Sequence, residues 1–430
     1  MEKCTYCDFF SIPVSGLPAG FSPGRFISAL VQEIEAGRRL YRAAGWSSVY
    51  TGGGTPSLLS PEDIRILCRA VGRNIRTSPS AEWTVEMNPE DVTSGRLAAW
   101  EEGGANRLSL GIQTLQEPAL RVLARRGSPQ AVRRALQTVT DCWHGDLSVD
   151  LIAGLPFQTP ASLADDLEEV LAFAPAHVSL YQLSVEDGTP LARQKAAGAV
   201  PLPDEEEAAE IWEAGKCILE QNGFRRYEVS NFARPGHESQ HNLAYWHLEP
   251  FFGAGPGASG TLVAGNSALR LENTRDLPAW LAFWENPPFV FDRESGFGPD
   301  SLHRTFPLPE ARLFRDFPFH AEKIAPQDFA FETLMMGMRL TEGISGEAFR
   351  QRFGITLSAC FGRTFSRWEQ AGKLKTGGGR VFLTGPGLLF LNAFLVECLD
   401  ELTEKRELFR NADPPHGPEF PGPPSPAVSP

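Results

Sequence analysis

Apolar positions Phe26, Ile27, Leu30, Val31 and Ile34 recur at helical spacing, with Glu33, Glu35, Arg38 and Arg39 between them. The pattern predicts an amphipathic helix over Phe26–Leu40, stopped by Gly45. Ser48-Val49-Tyr50-Thr51 reads as a short strand running into Gly52-Gly53-Gly54-Thr55-Pro56. Ser60, followed by Pro61, Glu62 and Asp63, is a serine cap with proline at the first helical position. Strand and helix then alternate. Strands are predicted at Trp83–Met87, Arg107–Ile112, Leu147–Ile152 and Val178–Leu183. Helices are predicted at Ser94–Gly103, over Pro118–Thr140 with a break near Gly127, and at Ala161–Phe173. Strands separated in this way by helices mean a parallel sheet, open or closed into a barrel.

The pattern changes after residue 185. Pro203–Asn222 reads as an amphipathic helix whose acidic start, Asp204-Glu205-Glu206-Glu207, suits a helix N-terminus. Arg226–Phe232 follows, then a loop rich in His, Asn and aromatics as far as Trp246, and a glycine-dense turn at Gly253–Ala258. Residues 286–326 carry many Pro, Phe and Arg with little periodicity, as a surface insertion would. A helix is expected over Phe329–Thr341. After it the chain resembles a small winged-helix unit, with helices at Gly346–Phe353 and Leu357–Ala371 and a hairpin through Gly377-Gly378-Gly379. Residues 413–430 hold eight prolines and read as a disordered tail.

With 430 residues the chain is long enough for one barrel and a smaller domain. A formal charge of −13 without any Lys/Arg-rich run argues against nucleic acid as a partner. No apolar run approaches the ~20 residues that span a bilayer, and no signal-peptide pattern is read at the start. Seven cysteines, an odd number scattered over the chain, make no disulfide framework and suit a reducing cytoplasm. Cys68, Cys142, Cys217, Cys360 and Cys398 are expected to be buried small hydrophobes.

Chemistry in α/β sheets gathers at the C-terminal ends of the strands. The residues predicted there are Gly52–Thr55, Glu86 with Asn88-Pro89, Gln113, Asp150 and Gln182–Ser184. Alone, Asp150 would also fit a helix cap and Glu86 a solvent-facing charge; together the polar groups mark one rim as a site. Cys4 and Cys7 form a C-x2-C pair, which places two thiolates on one tight turn, as a zinc ion or an iron–sulfur cluster requires. Two cysteines do not complete such a site.

Taken together, these motifs resemble one family. Cys4-Thr5-Tyr6-Cys7-Asp8-Phe9 is similar to the end of the radical S-adenosylmethionine signature C-x3-C-x2-C, and Tyr50-Thr51-Gly52-Gly53-Gly54-Thr55-Pro56-Ser57 to that superfamily's glycine motif. Glu86-Met87-Asn88-Pro89, Ser109–Gln113, Asp150–Pro156 and Tyr227–Phe232 narrow the resemblance to one branch. That branch contains oxygen-independent coproporphyrinogen III oxidases and HemW-type haem chaperones. The resemblance implies a partial (β/α)6 TIM-like barrel lacking its first strand, with a C-terminal winged-helix-like domain. It divides the chain into a barrel core at 1–185, an extension with the haem motif at 186–285, an insertion at 286–326, the C-terminal domain at 327–403 and a Pro-rich tail at 404–430.

The resemblance also implies cofactors. Cys4 and Cys7 would hold irons of a [4Fe–4S] cluster. Tyr6, Gly53, Gly54, Thr55, Glu86, Gln113, Arg125 and Asp150 would contact S-adenosylmethionine, with glycines admitting its amino-acid end and carboxylates taking ribose hydroxyls. The signature's first cysteine would stand immediately before Met1, so Met1 is expected to be an internal methionine of a longer protein; the alternatives are a remnant without a cluster or a zinc protein. Phe9 stands where the oxidases carry a fourth cysteine, and His241-Asn242-Leu243-Ala244-Tyr245-Trp246 matches the chaperones' HNxxYW haem motif. Imidazole is a standard axial ligand of haem iron, and Tyr and Trp offer flat apolar surface. His237 and His247 are less favoured neighbours. The implied function is haem chaperoning in the cytoplasm, with delivery to respiratory-chain proteins at the membrane and cluster-dependent homodimerisation. Radical decarboxylation of coproporphyrinogen III is the rival.

Overall fold

The computed structural model describes residues 3–40, 43, 45–72, 81–287 and 319–409. The chain groups into two units, Met1–Ile27 with Trp46–His241 and Ser28–Gly45 with Asn242–Pro430. Helix α1 (Pro23–Leu40) contributes to both.

The first unit runs β1 (Ser48–Thr51), α2 (Pro61–Gly72), β2 (Glu82–Met87), α3 (Ser94–Glu102), β3 (Arg107–Gln113), α4 (Glu117–Val122), α5 (Pro129–Cys142), β4 (Asp146–Ala153), α6 (Pro160–Leu171), β5 (His177–Gln182), α7 (Pro190–Ala196), α8 (Glu205–Gln221), β6 (Arg225–Arg226) and β7 (Asn231–Ala233). The seven strands form one sheet in the order β1-β2-β3-β4-β5-β7-β6. The first five are mutually parallel, as the alternation predicts, and β7 pairs antiparallel with β5 and with β6. The helices start where local chemistry dictates. Thr93, Ser128, Thr159, Thr189 and Asp204 each accept a backbone N–H of the first turn, and proline follows directly at three of these caps.

Strand side chains alternate between the two faces of the sheet. One face is apolar and buried: Trp83, Val85 and Met87, Leu108, Leu110 and Ile112, Val149 and Leu151, Val178 and Leu180. Against it packs α8, whose Trp212 Nε1 donates to the Leu180 carbonyl at 3.0 Å. The opposite face carries Glu82, Thr84 and Glu86, then Arg107 and Ser109, Ser148 and Asp150, His177, Ser179 and Tyr181, and most of these are buried as well. A polar face without water must satisfy itself. One chain of hydrogen bonds runs from Ser148 Oγ to His177 Nδ1 (2.7 Å) and from His177 Nε2 to the Tyr227 hydroxyl (2.9 Å). Burial holds His177 well below the usual histidine value, so it is neutral.

Helix α9 (Gln240–Trp246) stands where the sequence reads as a loop. Seven residues opening on Gln-His-Asn carry little periodicity. The helix forms because its first N–H groups meet a strand carboxylate, described below.

The second unit holds an antiparallel sheet ordered β10-β9-β8, from β8 (Ser259–Ala264), β9 (Ser267–Asn273) and β10 (Phe319–Ile324), with α10 (Leu277–Glu285) between β9 and β10. The 286–326 insertion is corrected at its end. Phe319–Ile324 is a strand paired along its whole length with β9, and 288–318 lies outside the described residues. Next come α11 (Pro326–Gly337), β11 (Ile344–Ser345), α12 (Gly346–Phe353), α13 (Leu357–Gln370), β12 (Leu374–Gly377), β13 (Arg380–Leu383), α14 (Gly385–Leu388) and α15 (Leu391–Glu404). The two helices and the hairpin of the winged unit stand where the sequence reads them. Their core is a run of ring contacts through Phe329, Phe353, Phe349, Phe361, Phe365, Phe394 and Trp368. The tail beginning at 404 is ordered at first, since Arg406–Phe409 forms a 3-10 turn; 410–430 lies outside the described residues.

Two further readings are corrected. Glu33, set among the polar positions of α1, is buried. It accepts hydrogen bonds from Gly255 N (2.7 Å), Asn273 Nδ2 (2.6 Å) and Trp280 Nε1 (3.1 Å), which anchor the glycine-dense turn. Cys68, Cys360 and Cys398 are buried as expected, whereas Cys142 is half-buried and Cys217 is exposed on the outer side of α8. Among the described residues, no helix is long and apolar enough to cross a membrane.

Candidate functional site

The cysteine turn is tied down on both sides by Thr5. Its N–H donates to the Leu123 carbonyl (3.1 Å), its hydroxyl to the Val122 carbonyl (2.9 Å), and its own carbonyl accepts from Leu191 N (2.9 Å). Cys7 N closes the turn onto the Cys4 carbonyl at 3.2 Å. Between the cysteines, Tyr6 packs on a cluster of Ala119, Leu123, Ile152 and Leu155, and burial pushes its phenol above the usual value. Arg125 links this turn to the sheet. Nη1 lies 3.7 Å from Cys4 Sγ, and Nη2 donates to the Gly111 carbonyl. Both cysteines are free thiols. They supply two of the three thiolates a cluster of the signature type takes, and among the described residues no group of three or more His, Cys, Asp or Glu could hold a metal ion. The fit to a cluster is therefore partial.

The glycine loop leaves β1 and meets the carboxylate of Glu86, on β2. Gly53 N donates to Oε2 at 3.0 Å and the Tyr50 hydroxyl to Oε1 at 2.6 Å. A side chain on Gly52 would collide, because its Cβ would lie 2.6 Å from the Tyr50 ring and 2.7 Å from Glu86 Oε2. Gly53 has φ +96°, and a Cβ on Gly53 or Gly54 would meet nothing within 4 Å. The loop is thus close-packed beneath and open above, as a cradle for a polar ligand must be. Thr55 ends it by opening the 3-10 turn Pro56–Leu58.

Asp150 lies within β4 and caps no helix. It accepts from the Ser109 hydroxyl at 2.9 Å and from the Ser179 hydroxyl. Burial pushes it up to about 6; the Ser179 and Ser109 hydroxyls and Arg107 oppose that shift, and the charge of Glu86 adds to it. At the end of β3, Gln113 adopts φ +68°, beside a break in register with β4. A non-glycine residue held there stores strain of the kind that collects at functional sites. Tyr6, Gly53, Gly54, Thr55, Glu86, Gln113, Arg125 and Asp150 therefore all stand at the C-terminal ends of β1 to β4, within those strands, or on the segments that follow or pack on them, and the charge of Glu86 reaches Asp150.

His241 is positioned by groups that the motif does not name. Glu82, first residue of β2, accepts from Gln240 N (3.0 Å), His241 N (2.9 Å) and Ser239 Oγ (2.9 Å), and so caps α9 with a side chain from a strand. Arg107 lies 3.6 Å from Glu82 and 3.3 Å from Asp146, and donates to the His237 carbonyl at 3.0 Å. Asp146 in turn holds His237 Nδ1 at 2.9 Å. The His241 ring meets Ser48 Oγ through Nδ1 at 3.2 Å and stacks on Tyr50, with centroids 4.9 Å apart and planes at 29°. Burial draws its pKa below the usual value despite the charge of Glu82. Nε2 makes no hydrogen bond among the described residues. His247 pairs instead with Glu342 at 3.1 Å. Glu82, Arg107, Ser48 and Tyr50 escape a motif-based reading. Their signal is the polar residue at every second position of strands that are otherwise apolar.

Comparison with known proteins places this geometry in a family. Residues 1–170 match the profile of the radical SAM superfamily and 324–390 that of the HemN C-terminal domain. The bovine mitochondrial "Radical S-adenosyl methionine domain-containing protein 1" is 34% identical over 94% of this chain and 86% of its own. The heme chaperone HemW of Mycobacterium tuberculosis is 33% identical over 79% of this chain and 85% of its own, and that of Bacillus subtilis 28% identical over 93% and 96%. Coproporphyrinogen III oxidase (HemN) of Escherichia coli, a radical SAM enzyme, has the same fold, with a TM-score of 0.71 over 92% of this chain and 87% of its own at 18% identity. From glycine loop to winged C-terminal unit, the chain belongs to the HemW-type family of the radical SAM superfamily.

Proposed function

We propose that this chain is a haem chaperone that takes haem iron on Nε2 of His241 and passes the haem to respiratory-chain proteins at the membrane. The observation that carries the reading is the state of that imidazole. Burial keeps it neutral, Ser48 engages Nδ1, and Nε2 has no hydrogen bond among the described residues. The Ser48 hydroxyl is able to accept from Nδ1–H, and in that tautomer Nε2 carries the lone pair through which histidine binds iron. The bacterial relatives are named heme chaperones, which supports the same reading.

S-adenosylmethionine would lie on Gly53, Gly54 and Thr55, with Glu86, Asp150, Gln113, Arg125 and Tyr6 around it. Cys4 and Cys7 would serve a [4Fe–4S] cluster in part. Once bound and reduced, such a pair of cofactors supplies one-electron chemistry. The residues of this chain contribute orientation: Glu86 and Asp150 accept hydroxyls, and Arg125 sets a fixed positive charge beside Cys4.

An anaerobic haem titration followed by absorbance tests the axial-ligand role. His241→Ala should weaken binding by about tenfold or more, the loss of a single coordinate interaction; unchanged affinity removes His241 as the ligand. Expression in a strain that lacks coproporphyrinogen oxidation tests the rival reading, and restored growth would favour the oxidase.

A further inference from the structure

Tyr50 touches two parts of the first unit that the function keeps separate. Its hydroxyl donates to Glu86 Oε1 at 2.6 Å, while Glu86 Oε2 holds the glycine loop through Gly53 N. Its ring lies against the imidazole of His241, 4.9 Å away and nearly parallel. Burial, then the carboxylates of Glu86 and Asp150, raise the phenol well above its usual value, so it remains a donor to Glu86 across the physiological range. A short hydrogen bond to a charged acceptor is directional and strong, so the phenol follows the carboxylate. The imidazole is held at its backbone by Glu82 and at Nδ1 by one hydroxyl, and the Tyr50 ring stacks against its face.

We propose that Tyr50 makes the His241 imidazole respond to the glycine loop: a ligand whose ribose diol engages Glu86 displaces the Tyr50 phenol, and the stacked imidazole moves with it. The proposal rests on the reading of Glu86 as a ribose acceptor and of His241 as the iron ligand. It makes Tyr50 a positioning residue and couples two ligands reciprocally, each altering the affinity of the other by the same factor. Two competing uses of one carboxylate supply the differential interaction that such coupling needs.

The coupling can be read without haem. The ring nitrogens of ¹⁵N-histidine are observed by NMR in the full chain, with His241 assigned by its loss in His241→Ala, while S-adenosylhomocysteine is added as the diol-bearing probe. The probe should shift the His241 nitrogens in the wild type. Tyr50→Phe keeps the ring and removes the hydroxyl, and should abolish most of that shift even with the probe bound. In parallel, saturating probe should change haem affinity by about fivefold or more in the wild type, a typical coupling, and leave it nearly unchanged in Tyr50→Phe. Equal shifts in the two proteins, no shift in the wild type with probe bound, or failure of the probe to bind would each overturn the proposal. If haem affinity is indifferent to His241→Ala, the haem reading fails by itself, and the nitrogen shifts still decide the role of Tyr50.

Discussion

Glu401 and Glu33 in the second unit and Glu86 and Asp150 in the first are four carboxylates that differ in the partners they receive. In the second unit, Glu401 on α15 is fully buried and accepts Arg363 N (3.0 Å), Thr364 N (2.8 Å) and the Lys405 ammonium (2.7 Å). Burial alone would raise it, but Lys405 and the two N–H groups outweigh burial and hold it down at about 2. Glu33 is also met by three donors, none of them a cation, and burial pushes it up to about 7. In the first unit, Glu86 and Asp150 are met largely by hydroxyls, from Tyr50, Ser109 and Ser179. Backbone N–H groups and a paired ammonium fix a carboxylate in place. A hydroxyl is a replaceable donor, for which a ligand hydroxyl can substitute at little cost. The same chemical group is thus a staple at Glu401, Glu33 and, through the cap on α9, Glu82, whereas Glu86 and Asp150 are held by donors that a ligand could replace.

The contrast is broken most severely at Glu401. Glu401→Ala leaves an ammonium and two N–H groups without their acceptor, and should cost about 3 kcal/mol in urea unfolding of the full chain, below the full penalty of a dry ion pair because Lys405 is 32% exposed. Nucleotide binding by the folded protein should not change. Because its folded value is depressed, the stability that Glu401 supplies is present above the usual carboxylate range and is lost as pH falls toward 2.

Glu33 carries the opposite sign. Its folded value is raised to about 7, so its contribution is complete below about pH 4 and is lost as pH rises through 7. Between pH 5 and pH 8 the wild type should lose about 2 kcal/mol more than Glu33→Gln in parallel unfolding curves. Equal slopes would mean that this carboxylate is not held in the protonated range.

Asp150→Asn sharpens the other side of the comparison. It removes a charge that burial disfavours, so stability at pH 8 should hold or rise by up to about 1 kcal/mol while affinity for S-adenosylhomocysteine falls about tenfold. A matched loss of both would make Asp150 a staple like Glu401. The smallest effect belongs to Gln113→Gly, which relieves φ +68° and should add about 0.5 kcal/mol of stability while weakening nucleotide binding by about threefold.

The sheet was legible because β1 to β5 alternate under a strong apolar signal and the following helices, α4 excepted, open on a Ser, Thr or Asp cap. The rim was legible because glycines, Glu86 and Asp150 end strands in a recognisable order. What escaped notice owes its position to distant partners. Glu33 sits at a helical position like any charged one, and only residues more than 200 positions away in the chain, Gly255, Asn273 and Trp280, make it an interior group. Helix α9 has no periodicity of its own and is set by Glu82, from another part of the chain. Strand β10 follows a stretch of Pro and Phe that masks the alternation completed by pairing with β9. Local pattern specifies elements; partners far away in sequence specify which polar groups they bury.

The cap on α9 also bears on how the loop before it tolerates insertion and deletion. Glu82 fixes where the helix begins, and Ala233 fixes where β7 ends, so 234–239 is a spacer of set length between two anchored points. Loss of one residue there would either break the cap or turn each side chain of the helix by about 100° around its axis, carrying the imidazole away from Tyr50 and Ser48. Length in this spacer therefore sets where the His241 ring stands, although none of its residues need pack on that ring.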